Sequence, residues 1–186
     1  LPVGYLNRVP QTFAETIFRP KRMTAYELDI TPRVLVGADT RTRVGHEARR
    51  LGFTRVLVVT DPFHDQSGRA DDIVHLLNAA GLRVSVYAGV VAEPDTTMVE
   101  QGLEQFKADH CDGIVALGGG SPIDIAKVSA VMTTNKGPIA DYFGIDLVPA
   151  PGMLTLIIPT TAGTGSEVTL IAIVSDHTEK LKKELS

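Results

Sequence analysis

Two short runs leave this chain few folds to choose from: Val56-Leu57-Val58-Val59 and Ile114-Val115-Ala116-Leu117 are apolar at every position. A strand with one face in water alternates apolar and polar residues, so an unbroken apolar run predicts strands covered on both faces. Strand-like segments fall at 33–36, 55–60, 83–87, 113–117 and 154–158, with a last one at 168–175. Between them lie segments with helical spacing. Residues 43–51 run into Gly52, and 70–80 carry Ile73, Leu76, Leu77 and Ala80 ahead of Gly81. Residues 96–108 carry Val99, Leu103 and Phe106 on one face, and a fourth helix is expected over 121–132. Glycine just past the last periodic residue is a common helix stop. This rhythm predicts an α/β fold, a Rossmann-like, mostly parallel sheet with helices on both faces.

Residues 1–22, with scattered Pro, Arg and aromatic residues, show weak periodicity and are expected to form an N-terminal extension ahead of one domain at 23–186. A length of 186 residues suits a single domain with a real core. The net charge of −4 and the lack of a Lys/Arg-rich run argue against a nucleic-acid partner. No apolar stretch is long enough to span a bilayer, and residues 1–21 show no secretory pattern. The single cysteine, Cys111, cannot form an internal disulfide, which points to the cytoplasm. His110 beside it does not make a nucleophile pair, because adjacent side chains rarely converge on one reacting atom.

The densest chemical signal is Gly118-Gly119-Gly120-Ser121-Pro122-Ile123-Asp124-Ile125-Ala126-Lys127, directly after a strand. Glycines allow a sharp turn and close approach of backbone to a ligand. Ser121 is a good N-cap, Pro122 suits the first helical position, and Asp124 stands three residues after the cap. The helix would then present free N–H groups and its positive end to a pyrophosphate. The motif departs from G-x-G-x-x-G at Ile123 and is no P-loop; a capped strand-to-helix turn is the lesser alternative for it alone. A second loop, Pro159-Thr160-Thr161-Ala162-Gly163-Thr164-Gly165-Ser166-Glu167, follows another apolar strand. Ligands of open α/β sheets bind at the carboxyl ends of strands, so two such loops reinforce each other. Asp61, in Thr60-Asp61-Pro62, could accept hydrogen bonds from ribose hydroxyls and repel a 2′-phosphate, favouring NAD over NADP. It could also simply cap the turn ahead of Pro62.

These two loops together, ending in Ser166-Glu167-Val168-Thr169, resemble the iron-containing (group III) alcohol dehydrogenases, from about Arg33 to the end. The resemblance implies the dinucleotide-binding domain of an enzyme that moves hydride between NAD and a small alcohol or aldehyde. It implies Asp61 at the adenosine ribose and Gly119, Gly120 and Ser121 at the pyrophosphate. It further implies Thr160, Thr161 and Thr164 around adenine and diphosphate, and Asp124 at the nicotinamide and substrate side as the catalytic candidate. Ile173 and Lys182 would add an apolar contact and a ribose-side lysine. Glu93, before Pro94, stands where many members carry an asparagine that approaches the cofactor. Members are commonly homodimers through this half.

The family's metal, iron or zinc, is held by a separate helical domain that is expected to lie outside this sequence. Of the five histidines, His46, His64, His75, His110 and His177, only His75 has an acidic residue at ligand spacing, Asp71, and a solvated helix face explains that pair better. Arg50 stands where a zincin would need its second histidine after His46-Glu47. Maleylacetate reductase, glycerol dehydrogenase and hydroxy-acid dehydrogenase remain alternatives within the superfamily. A nucleotide-binding module without catalysis is the alternative from another class.

Overall fold

The unbroken apolar runs do form the centre of a sheet. In the computed structural model, which describes residues 33–176 and 181–185, four parallel strands lie in the order β2-β1-β3-β4. They are β1 (Arg55–Val59), β2 (Arg83–Tyr87), β3 (Gly113–Gly118) and β4 (Thr155–Pro159). The register runs Val56↔Gly113 and Arg55↔Arg83 around β1, and Ile114↔Thr155 between β3 and β4. Five helices accompany the sheet: α1 (Val44–Arg50), α2 (Pro62–Gln66), α3 (Arg69–Ala79), α4 (Thr96–Ala108) and α5 (Gly120–Thr134).

Alternate residues of the central strands point into different cores. Leu57, Val59, Ile114 and Ala116 pack with Val99, Leu103 and Phe106 of α4 and Ile123 and Ala126 of α5. Val56, Val58, Val115 and Leu117 pack with Val44 and Ala48 of α1 and Ile73 and Leu77 of α3. Both faces of β1 and β3 are therefore dry, which is why the sequence there cannot alternate. Burying one such aliphatic side chain stabilises the fold by about 1.5–3 kcal/mol.

Several expectations change. Residues 33–36 form no strand, Val36 is 90% exposed, and they pair with no sheet edge among the described residues. The last predicted strand shrinks to β5 (Ala172–Asp176), which pairs antiparallel with β6 (Leu181–Leu185) in a separate two-stranded sheet. Residues 168–171 stay irregular: the Val168 and Thr169 amides turn back to the Gly165 carbonyl, and the Ile171 carbonyl accepts from the Lys127 ammonium of α5 at 2.6 Å. The proposed extension at 1–22 lies outside the described residues. No helix among the described residues is long and apolar enough to cross a membrane.

Candidate functional site

The strand order reverses at β1. From there the chain steps to β2 on one side and to β3 on the other, so the carboxyl ends of β1 and β3 diverge into a crevice. A cleft of about 810 Å³ opens at that point, lined by residues 61–64, 69, 90–92, 119–122 and 160–161. This is the size range of small-molecule and cofactor sites. Two hydrogen bonds hold its rim. The Thr60 hydroxyl donates to the Leu117 carbonyl at 2.8 Å, and the Thr160 amide donates to the Gly118 carbonyl at 2.9 Å. They tie the ends of β1, β3 and β4 together.

The glycine turn divides its labour. Gly118 has φ of 150°, and a Cβ there would lie 2.6 Å from Pro122 Cγ, so the turn itself demands glycine. Gly119 has an ordinary φ of −83°, and its missing side chain leaves space instead. A Cβ on it would meet Thr161 Oγ1 at 3.1 Å, and one on Gly120 would meet Ser166 Oγ at 3.5 Å and Thr164 Cγ2 at 3.7 Å. The two loops thus face each other across a gap that side chains would fill. Ser121 is not the N-cap that the sequence suggests. The helix begins at Gly120 with Gly119 as its cap residue and no side-chain cap bond, because Gly119 already takes the extended cap conformation. The first amides of α5 are left facing the cleft, where an anion suits both their hydrogen-bonding need and the helix dipole.

Asp61 caps the turn ahead of Pro62. Its Oδ1 caps α2, accepting from the His64 amide at 2.9 Å, and also lies 2.8 Å from His64 Nδ1. Its Oδ2 sits on the Gly118 side, 3.4 Å from where a Cβ on that glycine would stand.

Asp61, Gly119, Gly120, Ser121, Thr160 and Thr161 line one cleft. Thr164 stands behind Gly120, its hydroxyl 3.3 Å from Glu167 Oε2. Asp124 does not line the cleft. It is buried in α5, its Oδ2 accepts from the Ile173 amide at 3.2 Å, and its Oδ1 is buried without a hydrogen bond. Burial raises its carboxyl above the usual range, against the pull of the Ile173 amide and of Lys127. Ile173 on β5 and Lys182 on β6, where it pairs with Ser175, stand apart from the cleft-lining residues. Glu93 adopts a left-handed φ of 61°, a conformation that asparagine takes more readily than glutamate.

Sequence reasoning misses Lys127, His64 and Arg69. Lys127 Nζ donates to the carbonyls of Ser166 at 2.8 Å and Ile171 at 2.6 Å, clasping the second loop to α5. A lysine three residues after an aspartate on an apolar helix was its visible signal. Among the described residues no group of three or more His, Cys, Asp or Glu side chains is placed to hold a metal ion. His75 Nδ1 turns to its own helix, 2.7 Å from the Asp71 carbonyl.

Known proteins share this architecture. The sequence model of a family described as iron-containing alcohol dehydrogenase matches residues 31–186. The NAD-dependent methanol dehydrogenase of Bacillus methanolicus is 35% identical over 153 residues, covering 82% of this chain and 40% of that protein. Alcohol dehydrogenase 4 of Schizosaccharomyces pombe is 39% identical over 148 residues, 80% of this chain and 35% of that one. A 1,3-propanediol oxidoreductase crystal structure superposes with a TM-score of 0.82 at 34% identity, over 87% of this chain and 43% of the other. The sulfoacetaldehyde reductase of Bifidobacterium kashiwanohense, solved in complex with NAD+, gives 0.79 at 29% identity, over 87% and 43% of the two chains. The chain spans less than half the length of these relatives.

Proposed function

Because the chain belongs to the iron-containing alcohol dehydrogenase family, we propose that residues 23–186 are the dinucleotide-binding domain of an NAD-dependent dehydrogenase acting on a small alcohol and its aldehyde or ketone. The observation that carries this reading is the convergence of Asp61 and two glycine-threonine loops on one cleft at the point where strand order reverses. The space kept free by Gly119 and Gly120 fits a pyrophosphate, which the α5 amides and Ser121 would hold while Thr160, Thr161 and Thr164 close over it. Asp61 Oδ2 would accept from the adenosine ribose, and its charge would disfavour a 2′-phosphate.

Bound NAD supplies the hydride acceptor; these residues bind it, orient it and shape its access. Asp124, which does not line the cleft, would act on the nicotinamide and substrate side, where a carboxyl raised by burial can hold a proton. Ile173 would reach the nicotinamide side, and Lys182 the ribose. The described residues do not fit the family's iron or zinc, so their part in the reaction is to bind and orient the cofactor. The partners are then a small alcohol or aldehyde and a second copy of the chain in a cytoplasmic homodimer, with no nucleic acid. Titrating NAD into the full-length protein by calorimetry tests the reading: micromolar binding lost in Gly119→Val supports it, and unchanged affinity in that variant refutes it.

A further inference from the structure

The helix after β1 is five residues long, yet one of its side chains is turned inward. His64 is 6% exposed, while Phe63, Asp65 and Gln66 beside it are exposed. Burying an imidazole instead of an aliphatic side chain costs stability unless its polar atoms are satisfied. Nδ1 is satisfied by Asp61 Oδ1 at 2.8 Å, the same oxygen that accepts the His64 amide. A capping amide alone would leave the carboxylate free to turn about its broad terminal torsion. A second donor at this distance fixes the plane and spends Oδ1 entirely, leaving Oδ2 toward Gly118 as the acceptor that remains. Because the partner is an acceptor-only carboxylate, Nδ1 carries its hydrogen.

Of the described residues lining the cleft, only Asp61, His64 and Arg69 can carry charge. Arg69 stands with its guanidinium 4.9 Å above the Phe63 ring. Such a cation favours a phosphate, so the two signs compete at one mouth and the aim of the carboxylate decides between them.

We propose that His64 is a positioning residue for ribose recognition: by locking Asp61 through Oδ1 it presents Oδ2 to the ribose and sets the preference for a free 2′-hydroxyl over a 2′-phosphate. This rests on the cleft being the dinucleotide site.

The test is calorimetric titration of the full-length protein with ADP-ribose and with its 2′-phosphorylated counterpart, neither of which can react. His64→Leu lowers the ratio of the two affinities about tenfold, a weakening expected on losing a charge-assisted hydrogen bond. His64→Asn restores the ratio, because its Nδ2 stands where the ring Nδ1 stands. His64→Gln, with its donor one bond further out, does not. Should His64→Leu fail to melt cooperatively, the Asn and Gln variants alone carry the comparison. Equal ratios in folded variants overturn the role of His64 while leaving the cleft reading intact. Failure of the wild-type protein to bind ADP-ribose at all overturns the cleft reading, and the role of His64 with it.

Discussion

Gly118 and Gly119 are adjacent, but alanine at each should fail in a different way. At Gly118 a methyl group meets two obstacles. The backbone φ of 150° is closed to residues with a Cβ, and that Cβ would lie 2.6 Å from Pro122 Cγ and 3.0 Å from Pro122 Cβ, on a ring that cannot rotate away. A positive φ costs about 1–2 kcal/mol, and forcing a methyl into packed space adds about 1–3 kcal/mol. The sum is about 2–5 kcal/mol, which in a domain of this size lowers the melting temperature by roughly 5–15 °C. At Gly119 the φ of −83° already suits alanine, and the contact with Thr161 Oγ1 at 3.1 Å asks only a few tenths of an ångström from a side chain. Stability should move by less than about 1 kcal/mol, helped by the smaller entropy of the unfolded chain. The same methyl, however, stands in the gap between the two loops, so ADP-ribose affinity should fall at least about tenfold, or about 1.4 kcal/mol. Thermal melting and calorimetry on both variants separate the effects. A Gly118→Ala protein as stable as wild type, or a Gly119→Ala protein that binds as well, would refute this division of labour.

Other perturbations address other parts of the fold. Asp61→Gly should relax the preference for NAD over NADP, read as the ratio of kcat/KM values; an unmoved ratio leaves Asp61 with only its capping role. Asp112, at the opposite end of the sheet, accepts from the Thr54 and Arg55 amides at 2.9 Å. Asp112→Ala should therefore cost about 2 kcal/mol in urea melts without altering ADP-ribose affinity. Glu93→Gly should stabilise by about 1 kcal/mol by relieving the left-handed strain, seen as a higher urea midpoint. The Asp124 carboxyl is raised by burial, so the folded state binds its proton more tightly than the unfolded state does. Its contribution is present at low pH and is lost as pH rises from the ordinary aspartate range through the raised value. Asp124→Asn should flatten that part of the stability profile, and an unchanged slope would show that the group titrates normally in the fold.

The sheet was legible wherever burial on both faces leaves no other reading, as in Val56 to Val59 and Ile114 to Leu117. Helix α4 was legible from its apolar stripe, and the structure adds an Asp95 cap that accepts the Met98 amide. The segment 33–36 has the composition of a strand but no strand partner among the described residues, and pairing is not a local property. β6 escaped notice for the opposite reason: Lys182, Lys183 and Glu184 carry no apolar signal, and antiparallel pairing with β5 alone makes them a strand. The site showed the same division. Its loops were visible as glycine and threonine, and so was the carboxylate at Asp61. His64 was hidden because its spacing from Asp61 becomes a contact only once Pro62 starts a helix there. Asp124 was placed correctly on its helix, but its side chain faces β5 instead of the cleft, which depends on a packing partner 49 residues away.

The strand order also imposes a timetable on synthesis. β1 pairs first with β2, which follows after one helical crossover, but its other edge must wait for β3, whose partner register joins Val56 to Gly113. Until residues beyond Gly118 have left the ribosome, Val56 to Val59 is an apolar strand with an open edge and an uncovered face, the kind of segment that joins a neighbouring chain. The glycine turn therefore emerges as β3 closes this edge, whereas the second loop, Thr160 to Thr164, follows only after β4, so the cleft is completed later than the strand that removes this hazard.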